Sequence, residues 1–143
     1  GKADGDVIFT GFVGGTLRNE LFTNARAYVS ASHLEGLPLT VIQAMANGLP
    51  VLLSDIEPHM EFAETLAETK SMDGSAETPD FLRTFPVGDL GRLREELKRL
   101  AAMGSGEREA IRLAAKDFAS REYHWSTITE KYRQAFRGLV ASR

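Results

Sequence analysis

The chain contains no cysteine among its 143 residues. Disulfide bonds, thiolate catalysis and cysteine-based zinc sites are therefore excluded, and the absence suits a reducing compartment. No apolar run approaches the ~20 residues that a membrane-spanning helix needs. Residues 1–6 are polar and glycine-rich, which is not the pattern of a signal peptide. We therefore expect a cytoplasmic protein, and peripheral attachment of the full-length protein to a membrane is compatible with the sequence.

Basic residues are not concentrated anywhere, and the formal net charge is −3. Nucleic-acid binding usually requires a dense lysine and arginine surface, so we expect no nucleic-acid partner. The chain is 43% apolar and 26% charged, which favours a folded core over disorder. Its length is typical of one domain.

Short apolar runs alternate with helical patterns in the first half of the chain, and the last third is helical. The predicted strands are residues 7–10, 27–30, 50–54 and 82–87, and the predicted helices are residues 16–24, 38–47, 90–103, 107–122 and 126 onward. Strands that alternate with helices indicate a parallel sheet with helices on its faces. The expected fold class is α/β, a Rossmann-like parallel sheet flanked by helices, with a helical C-terminal third.

Local signals place several of the boundaries. Thr16 is a plausible N-cap, Gly48 a C-cap, and Gly104 and Gly106 break the helical pattern. Residues 64–79 are rich in Glu, Thr, Ser and Asp, and we predict an irregular insertion with at most one short helix.

Aromatic residues recur at helical spacing in the last predicted helix. Trp125, Tyr132 and Phe136 lie on one face of it, so we expect them to pack against the sheet rather than stack on a ligand. His59 lies between Glu57 and Glu61, but the spacing of the three does not put them on one helical face, and no metal site is expected.

The most informative stretch runs from residue 32 to residue 55. A strand ends, a polar loop with Glu35 at its crest follows, and Pro38 opens a helix where a missing N–H wastes no hydrogen bond. The amides of Leu39 and Thr40 should then be free in the first helical turn. Free amides and the positive end of the helix dipole form an anion site, beyond the carboxyl end of a parallel strand.

The charge of Glu35 narrows the kind of ligand. A carboxylate beside this site would repel a phosphate alone, but it accepts hydrogen bonds from sugar hydroxyls. A ligand that carries both groups is a nucleotide sugar. On the pattern alone, a solvated loop carboxylate is the favoured interpretation of Glu35.

A family resemblance supports the nucleotide-sugar interpretation. The residues that carry it are Ser32, Glu35-Gly36, Ala44-Met45-Ala46, Gly48, Pro50-Val51 and Ser54-Asp55. Together they resemble the E-x(7)-E motif region of glycosyltransferase family 4, whose members are retaining enzymes of the GT-B fold. Residues 7–11, 21–32 and 122–132 also resemble the family. The resemblance implies the C-terminal, donor-binding domain of a hexosyltransferase that uses a nucleotide-sugar donor.

The same resemblance implies roles for individual residues. Glu35 matches the first glutamate of the motif, the catalytic-site residue that contacts and orients the donor sugar. The other implied donor-binding positions are Phe12 and Val13 at the nucleobase, and Gly36, Leu37, Leu39 and Thr40 at the distal phosphate. Pro38 stands where many relatives have glycine, so one amide is missing from this loop.

Gln43 replaces the second glutamate of the motif, which usually holds the ribose hydroxyls. A neutral hydrogen bond is roughly half as strong as a charge-assisted one, so donor affinity should fall by about 1 kcal/mol. A role as a helix-surface amide is the alternative for Gln43. There is no Asp-x-Asp pair, so neither an obligatory metal nor another cofactor is indicated.

Family members carry two further strand–helix units, with a Gly-Arg element and a lysine that grip the diphosphate, before the equivalent of residue 7. We therefore expect residues 1–143 to form a single but incomplete domain that is inactive alone and exposes a sheet edge suited to homodimerisation. The acceptor, whether carbohydrate, lipid-linked or small molecule, is left open. The alternatives are a non-catalytic sugar-nucleotide-binding or assembly module, and an epimerase or phosphorylase on the same fold.

Overall fold

The computed structural model describes residues 7–73 and 79–141. The helices are α1 (Gly15–Asn24), α2 (Leu39–Ala46), α3 (Glu57–Asp73), α4 (Leu90–Ala102), α5 (Ser105–Glu122) and α6 (Trp125–Ala141), and the strands are β1 (Tyr28–Ser30), β2 (Val51–Ser54) and β3 (Leu82–Phe85). No helix in these two ranges is both long and apolar enough to cross a membrane.

The three strands form a parallel sheet in the order β1-β2-β3. Tyr28 lies opposite Val51, which in turn lies opposite Leu82, so the strands are aligned at their starts. All four residues of the central strand β2 are buried, as expected for a parallel strand covered on both faces. The α/β fold class is confirmed, and three of the four predicted strands occur within two residues of their expected ends.

The core lies between the sheet and helices α2, α3, α4 and α5. The helical contributions are Val41, Ala44 and Met45 from α2, Phe62 and Leu66 from α3, Leu100 from α4, and Ile111, Ala115, Phe118 and Ala119 from α5. Each large apolar side chain that is fully buried stabilises the fold by about 1.5–3 kcal/mol. These helices therefore hold the sheet in place.

Gly48 ends α2 with φ +79°, a left-handed conformation that favours glycine. A Cβ at this position would lie 2.9 Å from the carbonyl oxygen of Arg112 on α5. The predicted C-cap is confirmed, and the close approach shows a second reason for glycine here: α2 and α5 pack tightly.

The strand expected at residues 7–10 is wrong. The residues are not in a sheet, and Val7, Ile8 and Phe9 are exposed. A strand needs a neighbour to pair with, and among the described residues β1, β2 and β3 pair only with one another. The outer edge of β1 therefore has no strand partner in this part of the chain.

The irregular insertion expected at residues 64–79 is wrong over residues 64–73, which lie in α3; residues 74–78 lie outside the described ranges. Phe62 and Leu66, one helical turn apart, are both buried and anchor the helix. The hydroxyls of Thr65 and Thr69 donate to the carbonyls of Glu61 and Thr65, each at 2.8 Å, so the polar composition is compatible with a helix.

Two smaller boundaries also differ. Gly14, not Thr16, is the N-cap of α1, and it makes no side-chain capping bond. Gly104 is the N-cap of α5, but Gly106 lies inside its first turn rather than in a break. Glycine is tolerated at this end because the first-turn amides have no intrahelical partner in any case.

The aromatic face of α6 does not pack against the sheet, contrary to expectation. Trp125 is 79% exposed, and Tyr132 and Phe136 are also exposed. Their helical spacing correctly predicted a helix, but the core is already filled by residues of α2, α3, α4 and α5. Periodicity identifies an apolar face without identifying what covers it.

Candidate functional site

The carboxyl ends of β1 and β2 lie side by side because the two strands are parallel. The last residues of these strands are Ser30 and Ser54, both buried. The chain beyond β1 carries Ser32 and Glu35, and the chain beyond β2 enters α3, which carries His59. Ligands of open α/β sheets bind at this edge.

Glu35 is fixed at this edge by serine hydroxyls. Its Oε1 accepts hydrogen bonds from Ser32 Oγ at 2.5 Å and from Ser30 Oγ at 3.4 Å. The side chain is 25% exposed, so the carboxylate is anchored on one side and open to solvent on the other. The structure therefore places Glu35 where a ligand at the strand ends could reach it.

The loop beneath Glu35 is tied to the neighbouring strand. Ser54 Oγ donates to the carbonyl of Ser32 at 2.6 Å. The adjacent residue, Asp55, accepts a hydrogen bond from the Val87 amide at 2.8 Å. Backbone and side chain together thus connect the ends of β1, β2 and β3.

His59 belongs to this cluster, and the sequence did not indicate it. Its side chain is 0% exposed, its Nδ1 lies 2.8 Å from the carbonyl oxygen of Ser54, and its Nε2 lies 4.0 Å from Glu35 Oε1. Glu57 and Glu61, the neighbours considered with it for metal binding, are exposed. The sequence feature that could have indicated His59 is its position in the first turn of the helix after β2, because helical side chains tilt toward the N-terminus of their helix.

The start of α2 only partly matches the expected anion site. The helix begins at Leu39 with Pro38 as N-cap, as predicted. The Leu39 amide is not free, however, because it donates to the Leu37 carbonyl at 2.9 Å. Pro38, at φ −78° and ψ 82°, closes an inverse γ-turn that brings these groups together.

Thr40 remains as an amide available for an anion. Its N–H has no hydrogen-bond partner among residues 7–73 and 79–141. Its hydroxyl accepts from Tyr28 Oη at 2.8 Å, which holds the first turn of α2 against β1. The free amide is therefore held in place by the strand that carries the loop of Glu35.

Gln43 lies in a different place from Glu35. It lines a largely apolar groove of about 550 Å³ together with Leu37, Leu39, Ile42, Glu122, Tyr123, Trp125, Ile128, Lys131 and Tyr132. Its Oε1 is buried and has no hydrogen-bond partner. The groove does not include Glu35, so the two positions of the motif do not line one cavity here.

Tyr123 gives the groove its one strongly perturbed ionisable group among the described residues. Burial raises the pKa of Tyr123 to about 12, while the hydrogen bond with Thr65 opposes the increase. The phenol is therefore neutral across the physiological range, and its ring packs against Phe62 and Phe118.

Phe12 and Val13, the expected nucleobase contacts, lie in the segment before α1. Phe12 is 99% exposed and Val13 is half-buried. Gly36 is also exposed, and α1 has no buried residue. Phe12 therefore does not pack against the core in the described structure.

The fold defines an α/β protein with a polar cluster at the carboxyl edge of a parallel sheet. Residues 2–71 match the family model described as glycosyl transferases group 1. The match spans just under half of the chain and includes β1, α2, β2 and most of α3. This segment, which contains Glu35, Gln43 and His59, is thus similar to group 1 glycosyltransferases. Comparisons with curated proteins and with solved structures returned no match.

Proposed function

We propose that the chain is the donor-binding part of a retaining glycosyltransferase of family 4, which transfers a sugar from a nucleotide sugar to an acceptor. The observation that carries the proposal is the Glu35 carboxylate, anchored by two serines at the carboxyl edge of the sheet in the loop that leads into α2. The similarity of residues 2–71 to group 1 glycosyltransferases supports the same conclusion.

The proposed chemistry divides the donor between two groups. Glu35 accepts hydrogen bonds from a hydroxyl of the donor sugar, and the Thr40 amide at the positive end of α2 binds the distal phosphate. As the nucleoside diphosphate leaves, the charge that develops on it is stabilised by this fixed amide and helix end. The acceptor attacks from the face on which the diphosphate departs, so the configuration of the sugar is retained.

Gln43 is assigned to the ribose in this proposal. Its buried, unpartnered Oε1 is an acceptor that a ribose hydroxyl would satisfy. A Gln43→Glu substitution should then tighten donor binding several-fold, by about 1 kcal/mol, since a charged acceptor is stronger. An unchanged affinity would place Gln43 away from the ribose.

We also propose that residues 1–143 alone do not transfer sugar. Glu35 and Gln43 do not line one groove, and Phe12 is exposed, so the donor contacts are not assembled into one pocket. The experiments below therefore use the full-length protein.

The test is calorimetric titration with UDP, GDP, ADP and their sugars, comparing wild type with Glu35→Gln. Because Glu35 is assigned to the sugar, Glu35→Gln should weaken binding of the nucleotide sugar about tenfold. Binding of the corresponding nucleoside diphosphate should stay within about twofold, since it lacks the sugar that a hydrogen bond would reach. The matched control is Glu64→Gln, an exposed glutamate on α3, which should change neither affinity.

Two results would overturn the proposal. One is the absence of binding by every nucleotide and nucleotide sugar tested. The other is an equal loss of both ligands in Glu35→Gln. The non-catalytic alternative, which the neutral Gln43 favours, predicts donor binding without turnover, so release of nucleoside diphosphate from the sugar donor with acceptor present separates the two.

A further inference from the structure

The buried Nε2 of His59 has no hydrogen-bond partner. Buried side-chain polar atoms nearly always have a partner, so an unpaired one in a candidate site requires an explanation. The carboxylate that the structure places near this nitrogen is Glu35, at 4.0 Å. The same carboxylate is the group to which the proposed function assigns the donor sugar.

The other ring nitrogen determines where the first proton lies. Nδ1 is 2.8 Å from the carbonyl oxygen of Ser54, and a carbonyl only accepts, so Nδ1 carries a proton. Ser54 Oγ, 3.3 Å from Nδ1, uses its single proton on the carbonyl of Ser32. Nδ1 therefore fixes the ring on β2, and Nε2 is the ring nitrogen on the side of Glu35.

We propose that His59 is a positioning residue for Glu35, with Nδ1 donating to Ser54 and Nε2 directed at the Glu35 carboxylate. Because the ring is hydrogen-bonded to β2, it fixes the loop after β1 relative to that strand. A displacement of about 1 Å would convert the 4.0 Å separation into a hydrogen bond.

This arrangement leaves the second carboxylate oxygen for a ligand. The hydrogen bonds from Ser30 and Ser32 and the 4.0 Å approach of His59 Nε2 all involve Oε1. Among the described residues, no hydrogen bond reaches Oε2. The inference rests on the proposed function in one respect, which is that a sugar hydroxyl occupies this free oxygen.

The ring nitrogens of His59 can be observed by NMR without any bound nucleotide sugar. In ¹⁵N-labelled full-length protein, the Nδ1 of His59 should give the shift of a nitrogen that donates a hydrogen bond, and the shift of Nε2 should report its position beside Glu35. His59→Asn assigns these signals by their disappearance, with His33 and His124 as internal references. In Glu35→Gln, the Nε2 signal should move, while the Nδ1 signal, which depends on Ser54, should stay in place. An Nε2 signal with the same shift in both proteins would overturn the inference.

Two substitutions at His59 separate positioning from a merely structural role. His59→Asn keeps a donor near the position of Nδ1 and loses Nε2, whereas His59→Gln keeps a donor near the position of Nε2. Positioning of Glu35 predicts that His59→Asn weakens nucleotide-sugar binding about tenfold and that His59→Gln stays within about threefold. Binding of the nucleoside diphosphate should change little in either variant.

The reverse order of the two variants would show that His59 only supports β2 through Ser54, and the inference would be wrong. Circular dichroism and melting temperature verify that both variants fold before titration. If no nucleotide sugar binds the wild type, the proposed function fails, while the ¹⁵N shifts still decide whether the His59–Glu35 pair exists.

Discussion

The helices that pack on the sheet bury their apolar faces, whereas the helices at the periphery of the molecule leave theirs exposed. Helices α2 and α5 bury their apolar faces against the sheet, and Phe118 on α5 is 1% exposed. Helix α6 is just as strongly amphipathic in sequence, yet Phe136 on it is 64% exposed, and α1 has no buried residue. Amphipathicity thus predicts that a helix forms but not whether its apolar face has a partner within the chain.

The largest expected effect tests this contrast directly. Phe118→Ala should lower the free energy of unfolding by about 3–5 kcal/mol, because it leaves a cavity beside Phe81 in the core. Phe136→Ala, the same change on the exposed face of α6, should alter it by less than about 0.5 kcal/mol. Urea denaturation of both variants measures the difference. Similar losses would mean that α6 is buried in solution and that the contrast is wrong.

Two glycines with left-handed backbone conformations, Gly48 and Gly88, compare a tightly packed position with an open one. Gly48→Ala should destabilise by about 3 kcal/mol, since it adds a left-handed alanine and a clash with the Arg112 carbonyl of α5. Gly88→Ala has nearly the same φ, +80°, with nothing within 4 Å of the new Cβ, and should cost about 1–2 kcal/mol. Thermal unfolding of both variants gives the comparison, and equal losses would show that the α2–α5 contact is not tight.

The next effect concerns a buried ion pair on the sheet side. Glu96 is buried, and Arg83 donates to its two carboxylate oxygens at 2.6 and 3.0 Å, with Arg92 at 3.0 Å. Glu96→Gln should destabilise by about 1.5–3 kcal/mol at neutral pH. Glu109→Gln, which removes an exposed pair with Arg112, should have no measurable effect. Equal effects in urea unfolding would contradict the assigned burial.

Glu96 also makes the stability of the fold depend on pH in the acid range. The hydrogen bonds from Arg83 lower the pKa of Glu96. The stabilisation of the folded state by Glu96 is therefore fully present above the pKa of glutamate in the unfolded chain. It is lost as pH falls through the lowered pKa of Glu96 in the folded protein. Stability measured from neutral to acid pH should fall less steeply in Glu96→Gln than in wild type. An unchanged slope would mean that other carboxylates dominate acid unfolding.

The smallest expected effect concerns Tyr123, which follows the last residue of α5. Because burial raises the pKa of Tyr123 to about 12, stability should decline as pH rises above the ordinary tyrosine pKa of about 10. Tyr123→Phe should lose this alkaline dependence. Absorbance titration of tyrosinate, with the variant as control, measures the step, and a Tyr123 step at the ordinary value would contradict the burial.

Much of the sheet side could be predicted from local sequence signals. The short apolar runs predicted the strands β1, β2 and β3. The Glu35 loop was recognisable because a strand, a polar crest and a helix-opening proline follow one another. The helical character of residues 64–73 was hidden, because threonine and glutamate dominate the composition and only Phe62 and Leu66 mark the buried side.

By itself the sequence determined the α/β class, the start of α2 at Pro38 and the placement of Glu35 beyond β1, since each follows from residue types that act on their near neighbours. Only the tertiary structure decided that Gln43 faces a groove apart from Glu35 and that His59 lies behind the carboxylate. The groove lies between α2 and α6, and the His59 contact joins α3 to the loop after β1. The relative position of separate elements depends on how they pack, and no local pattern encodes it.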